Sequence, residues 1–399
     1  MMITNTQGGF RSFSSQTESF TLGALSEQSA EPLSGRTRNS NKQQPLQERI
    51  VSEEHREVFD IPIVSPVEGY KKVLVTGAAG FIGSHAADAL LQRGDDVVII
   101  DELNDYYDVS VKRNNLKMLV DQYGKDRVQI YVGDICNATL VQQIFTNHQI
   151  QWVLHLAARA GVRPSIQDPF VYVHSNVEGT TRLLEVSRQH KVRNFVYASS
   201  SSVYGGSRSA LFSEFDRVDA PISPYAASKK SCELMAATYS HLYGLPTTGL
   251  RLFTVYGPRG RPDMAPYQFI DRIMRGEAIR QFGDGTSSRD YTYIDDIVDG
   301  AIRALDRPYQ NEVINLGKGS GTSLKDFIRT IERHTGKAAN ITQLPNQPGD
   351  VPYTCADVSK AERLVGYRSK VPVDDGIRRT VEWYREAFGS AGSGSGSVE

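Results

Sequence analysis

Tyr225 and Lys229 stand four residues apart in "SPYAASKK" (223–230), and of the 19 tyrosines only Tyr225 has a lysine at that spacing. Residues i and i+4 share one face of a helix, and Ser223 followed by Pro224 is a good helix start. Such a pair suits proton transfer to or from a hydroxyl. A free phenol titrates near 10, so bringing it to about 7 requires roughly 4 kcal/mol. One cation about 6 Å away supplies roughly 3 kcal/mol at an effective dielectric of 20. Lys229 alone falls short, and a second positive charge has to stand nearby. The spacing by itself fits an exposed surface pair as well. Upstream, however, "ASSSSVYG" ends an apolar run with Ser199 to Ser202, hydroxyls that a parallel sheet would deliver to the same crevice.

A source for the second charge lies in "VTGAAGFIGSH", where Gly77, Gly80 and Gly83 fall between an apolar run and a helical stretch. Glycine permits a tight turn and close backbone approach, and the following helix N-terminus offers free N–H groups to a pyrophosphate. The spacing is GxxGxxG rather than GxGxxG, so the common dinucleotide fingerprint is not met literally. Asp101 ends the next apolar run 24 residues after Gly77. A carboxylate there accepts hydrogen bonds from a ribose and repels a 2′-phosphate, which favours NAD over NADP. Lys229 together with an oxidised nicotinamide ring would bring the phenol into range.

These residues need a scaffold. Apolar runs at "KKVLVTG", "DVVIID", "VQIYVGD", "WVLHLAA", "NFVYASS" and "TTGLRLF" alternate with helical stretches, the first closed by Gly94. That alternation predicts an α/β fold, a doubly wound parallel (Rossmann-type) sheet covered on both faces. After Phe253 the pattern turns irregular, with "EVINLG" and helices near 324–335 and 376–388, as expected of a smaller C-terminal lobe. The expected organisation is a disordered tail over 1–66, a dinucleotide-binding domain over 71–250, a substrate-binding lobe over 251–388 and a flexible Gly/Ser tail over 389–399. The first 17 residues lack acids, as a transit peptide would, but Glu18, Glu27 and Glu31 break that pattern.

A formal net charge of −1 provides no overall field for nucleic acid or an anionic membrane, so anionic ligands must be held by local groups. Three scattered cysteines, Cys136, Cys232 and Cys355, suggest no disulfide framework and suit a reducing compartment. Apolar runs are too short to cross a bilayer, so the cytoplasm rather than a membrane anchor is the expected setting.

"TGAAGFIGSH", "SSSSVYG" and "PYAASK" together resemble the extended short-chain dehydrogenase/reductase superfamily, specifically its nucleotide-sugar epimerases, over about residues 71–388. "LNDYYDVSVKRNNL", "HLAARAGVRPS", "YSHLYGLPTTGLRLFTVYGPRGRPDMA" and "RDYTYIDDIVDG" are similar to UDP-glucuronate 4-epimerases. The resemblance implies that Tyr225 is the base, that Lys229 assists it, and that Ser200 and Ser202 hydrogen-bond the reacting oxygen. It implies NAD bound by Gly77, Gly80, Phe81, Ile82, Gly83, Asp101, Ala157, Ala158, Tyr225 and Lys229, with Asp134 and Ile135 at the adenine. Substrate contacts would come from Ser200, Ser202, Thr254, Arg261, Arg289 and, less strongly, Arg163. The implied reaction interconverts UDP-glucuronate and UDP-galacturonate through a 4-ketone, in a homodimer.

The 4-ketone of a glucuronate is a β-keto acid and loses carbon dioxide unless its carboxylate is held out of alignment with the carbonyl. Arg261 and Thr254 in "TVYGPRGRPDMA" are candidates to hold it. Some positions depart from the family pattern: Glu102 stands where asparagine is common, Arg159 where glutamine is usual, and Pro164 follows Arg163. Decarboxylases and 4,6-dehydratases usually carry an acid where this chain has Ser202. A UDP-glucose 4-epimerase fits "GRPDMA" less well, and a nucleotide sensor would typically lack the Tyr–Lys pair.

Overall fold

The computed structural model describes residues 60–207, 209–346 and 351–388. The expected tail over 1–59, with its possible targeting segment, and the Gly/Ser tail over 389–399 lie outside the described residues.

Seven parallel strands form the main sheet: β1 (Lys72–Thr76), β2 (Asp96–Asp101), β3 (Val128–Val132), β4 (Trp152–His155), β5 (Asn194–Ser200), β6 (Thr247–Leu252) and an edge strand, Asn311–Leu316. Their order across the sheet is edge–β6–β5–β4–β1–β2–β3. The central strands are apolar on both faces because helices cover both. In β1, Val73 and Val75 enter one core while Leu74 enters the other, as a two-residue period requires. Strand order reverses between β1 and β4, the place where open α/β sheets leave a crevice at their carboxyl ends.

"EVINLG" supplies the edge strand, so the chain leaves the sheet after β6 and returns to it. Between and beyond lie helices Ala265–Arg275, Leu324–Thr335 and Val373–Phe388 and short strand pairs, including Thr254–Tyr256 with Tyr291–Tyr293. One apolar core runs from Val73 and Leu250 of the sheet through Tyr256 to Phe327, Ile331 and Ile377. A buried polar seam joins the same parts. Ser199 Oγ donates to Glu233 Oε1 (2.7 Å), Arg251 donates to both Glu233 oxygens (2.8 and 2.9 Å), and Arg251 Nη1 donates to the Tyr204 hydroxyl (3.0 Å). The Tyr204 hydroxyl donates to Asn315 Oδ1 (2.7 Å), and the Asn315 backbone N–H donates to Glu214 Oε1 (2.6 Å).

One expectation needs correction. The tail expected to be disordered as far as residue 66 is docked from Ile61 onward. The Val67 amide donates to the Asp306 carbonyl (2.8 Å), the Val64 amide to the Tyr309 hydroxyl (3.2 Å), and Arg363 Nη2 to the Ile61 carbonyl (3.1 Å). Ile61, Val64 and Val67 pack on the core. Ile61, Val64 and Val67 turn inward at three-residue intervals while Ile63 stays exposed, so this strap buries one side. Among the described residues no helix is long and apolar enough to cross a membrane.

Candidate active site

A cleft of about 660 Å³ opens at the carboxyl ends of β1, β2, β4 and β5. Its floor is the glycine loop between β1 and the helix Phe81–Arg93. Gly77 has φ +73°, and a Cβ there would lie 2.7 Å from the backbone of Ala157; one on Gly83 would lie 2.2 Å from the Gly77 carbonyl oxygen. No side chain fits at either position. The loop therefore turns against β4 and opens the helix with Gly80 as its N-cap, leaving first-turn amides without intrahelical acceptors. Phe81, Ile82, Ala157 and Ala158 line this part of the cleft.

Asp101 lies at the rim, its oxygens accepting from the Ala79 amide (3.0 Å) and the Leu103 amide (2.9 Å). Burial raises its pKa, opposed by those amides and by Lys112. Asp134 and Ile135, after β3, close the far end. Asp134 Oδ2 is 2.8 Å from His174 Nε2 and Oδ1 accepts from the Cys136 amide (2.8 Å). Burial works against the Asp134 charge, but these partners outweigh it and hold the carboxyl below its ordinary value.

The opposite wall comes from β5 and the helix Pro224–Tyr243. Ser223 caps that helix, its hydroxyl accepting from the Ala226 amide (3.1 Å), with Pro224 in the first turn and left-handed Gly244 at the end. Tyr225 and Lys229 project from the first turns into the cleft beside Ser200 and Ser202. Lys229 is 4% exposed and donates from Nζ to the Ala198 carbonyl (2.7 Å), which ties the helix to β5. Ser200 Oγ accepts from the Ser202 amide (3.1 Å). The Tyr225 ring meets Tyr172 edge-on, with centroids 6.1 Å apart. His155 is not a catalytic rival. Its nitrogens lie 2.7 Å from Thr76 Oγ1 and 2.9 Å from Thr180 Oγ1, and burial with the Lys229 charge brings its pKa down to about 3, so the ring is neutral.

Thr254, Arg261 and Arg163 line the remaining side. Arg261 holds Asp263 in a two-point grip (Nε–Oδ1 2.9 Å, Nη2–Oδ2 2.6 Å) and sits over the Tyr106 ring at 5.4 Å. Arg163 covers the Phe282 ring at 4.5 Å. Arg289 is the exception among the expected site residues: it does not line the cleft. It stands on the two-residue strand Ser288–Arg289, paired with Thr322–Ser323, and Nη1 donates to the Ser288 carbonyl (2.9 Å).

Other residues were not singled out from sequence. Lys112 and Tyr107 line the cleft, with the ammonium 4.4 Å from the ring centroid. Asp263 partners Arg261. Asn176 lies in a π-helical turn, Val173–Glu178, and uses its amide three ways: Oδ1 accepts from the Arg159 amide (2.8 Å), while Nδ2 donates to the Arg159 carbonyl (3.0 Å) and Ser228 Oγ (2.9 Å). A widened turn has no marker in residue types, so only Lys112 and the tyrosines of "LNDYYD" carried any signal.

The cleft fits a dinucleotide on its own evidence. It has a glycine floor at a helix N-terminus, a carboxylate at the end of β2, and a buried Arg159 Nε with no partner among the described residues. Residues 74–380 match the GDP-mannose 4,6-dehydratase family. UDP-glucuronate 4-epimerase of Thermodesulfobacterium geofontis is 46% identical over 314 residues, covering 78% of this chain and 96% of that protein. The crystal structure of UDP-glucuronic acid 4-epimerase from Bacillus cereus with UDP-glucuronic acid and NAD is similar at 38% identity and TM-score 0.74, covering 79% of this chain and 99% of that one. UDP-glucose 4-epimerase of Thermotoga maritima, crystallised with UDP-glucose, follows at 33% and 0.73, with 79% and 99% covered. The match across the sheet, the glycine loop and the tyrosine helix makes the chain a member of the GDP-mannose 4,6-dehydratase family, within the extended short-chain dehydrogenases/reductases.

Proposed function

We propose that the protein interconverts UDP-glucuronate and UDP-galacturonate at C4 through a 4-keto intermediate, using bound NAD. The observation that carries this reading is the convergence of Tyr225, Lys229, Ser200 and Ser202 on one wall of the cleft, with Arg261 and Thr254 beside them. NAD, held by the glycine loop at Gly77 and Gly80 and by Asp101, would supply the hydride acceptor and donor for C4. The chain's own groups do the rest. Tyr225 takes the C4 hydroxyl proton and gives it back, Lys229 favours the phenolate by its charge, and Ser200 and Ser202 hold the reacting oxygen. Arg261 and Thr254 grip the sugar carboxylate and keep it out of alignment with the ketone. Residues 71–250 serve the cofactor and 251–388 carry much of the sugar side, with a homodimer in the cytoplasm as the working form. Among the described residues three cysteines are unpaired, which supports a reducing setting.

A second reading has an observation of its own. Asp263 already fills the Arg261 fork, which would suit a neutral sugar such as that of UDP-glucose. One assay separates them. Purified protein is incubated with UDP-glucuronate or UDP-glucose without added cofactor, and the anomeric NMR signals are followed. UDP-galacturonate supports the first reading, turnover of UDP-glucose alone the second, and carbon dioxide with a UDP-pentose overturns both.

A further inference from the structure

We infer that Glu102 and Arg159 form a clasp across the cofactor cleft that sets how long the dinucleotide stays bound, an inference that rests on the NAD reading above. Glu102 follows Asp101 at the end of β2, and Arg159 comes from the loop after β4. β2 and β4 are the two neighbours of β1, so the side chains reach toward each other from opposite sides of the glycine loop. Arg159 Nη2 lies 3.4 Å from Glu102 Oε1, and both residues line the cleft.

Each end of the bridge is held. Asn104 Nδ2 donates to the same Glu102 oxygen (2.6 Å). Asn176 grips both backbone polar groups of Arg159. The guanidinium is therefore presented from a fixed base, and its Nε is buried without an acceptor among the described residues. A buried donor left unpaired is unfavourable, and a phosphate or ribose oxygen in this cleft would satisfy it. The two opposite charges pair with each other, so the rim of the cleft carries an ionic bridge. A dinucleotide lying along the glycine loop has to part that bridge to leave.

The test loads the protein with radiolabelled NAD and measures release into excess unlabelled NAD for wild type, Glu102→Gln, Arg159→Gln and the double variant. Each single change should speed release about fivefold, the upper range for a partly exposed ion pair, and the double variant should release no faster than the singles. Release from Glu102→Gln matching wild type overturns the clasp, as does a double variant whose effect is the product of the two singles. Thermal melting of each variant checks folding, and if Arg159→Gln does not fold, Glu102→Gln alone decides. Wild-type protein that retains no NAD at all overturns the cofactor reading itself, a different outcome from unchanged variants.

Discussion

At the scale of single residues, Tyr225 stands on the cleft wall with Lys229 one helical turn away on the same face. Lys229 is fixed by the Ala198 carbonyl at 2.7 Å, so its charge stays at one place on the cleft wall. Arg261 lines the same cleft and stands within electrostatic reach of Tyr225. Tyr225→Phe should lower kcat by roughly 10²–10⁴-fold, the range for a lost general base, while NAD stays bound. Activity by NMR and bound cofactor by absorbance check both halves, and near-normal turnover would remove Tyr225 from the mechanism. The pairing of Tyr225 with Lys229 was readable because one helical turn enforces it. That of Arg261 with Asp263 was also local, two residues apart, yet its meaning depends on where the loop lies.

Among elements, the π-helical turn Val173–Glu178 joins separate parts of the site. It presents Asn176 to the loop after β4 and to the tyrosine helix at once, so three segments of the site share one amide side chain. Asn176→Ala would leave the Arg159 backbone groups without their partner. The expected result is a stability loss of about 1–3 kcal/mol by urea unfolding and a fall in kcat larger than any change in KM. Asn176→Asp should restore the contact to the Arg159 amide and recover part of both; a variant with wild-type kcat would show that the turn does not position the site. The parallel strands were legible because doubly covered strands are written as unbroken apolar runs, and Gly94 marked the first helix end by its left-handed turn (φ +106°). The π turn, the strap from Ile61 and the displacement of Arg289 from the cleft were not. Each depends on contacts between distant segments, which leave no local period.

For the molecule as a whole, the polar seam from Ser199 to Glu214 ties the serine strand to the sheet edge and gives stability a pH dependence. Burial raises the Glu214 pKa to about 7, with Lys360 and the Asn315 amide opposing and Asp357 reinforcing. A carboxyl that holds its proton more tightly when folded contributes stability at low pH, and that contribution is lost as pH rises toward about 7. Glu214→Gln should therefore change little near pH 5 and stabilise by about 1–3 kcal/mol near pH 8, in urea titrations compared with wild type. Equal shifts at both values would refute the assignment. The edge strand that this seam secures has one more consequence. Asn311–Leu316 is made only after the whole excursion that follows β6. During synthesis on the ribosome, β6 presents bare backbone donors and acceptors on one side until that late partner emerges. The nascent chain thus passes through an interval of adhesiveness, when a second unfinished copy could claim the vacant side, and slower translation across residues 253–310 would lengthen it.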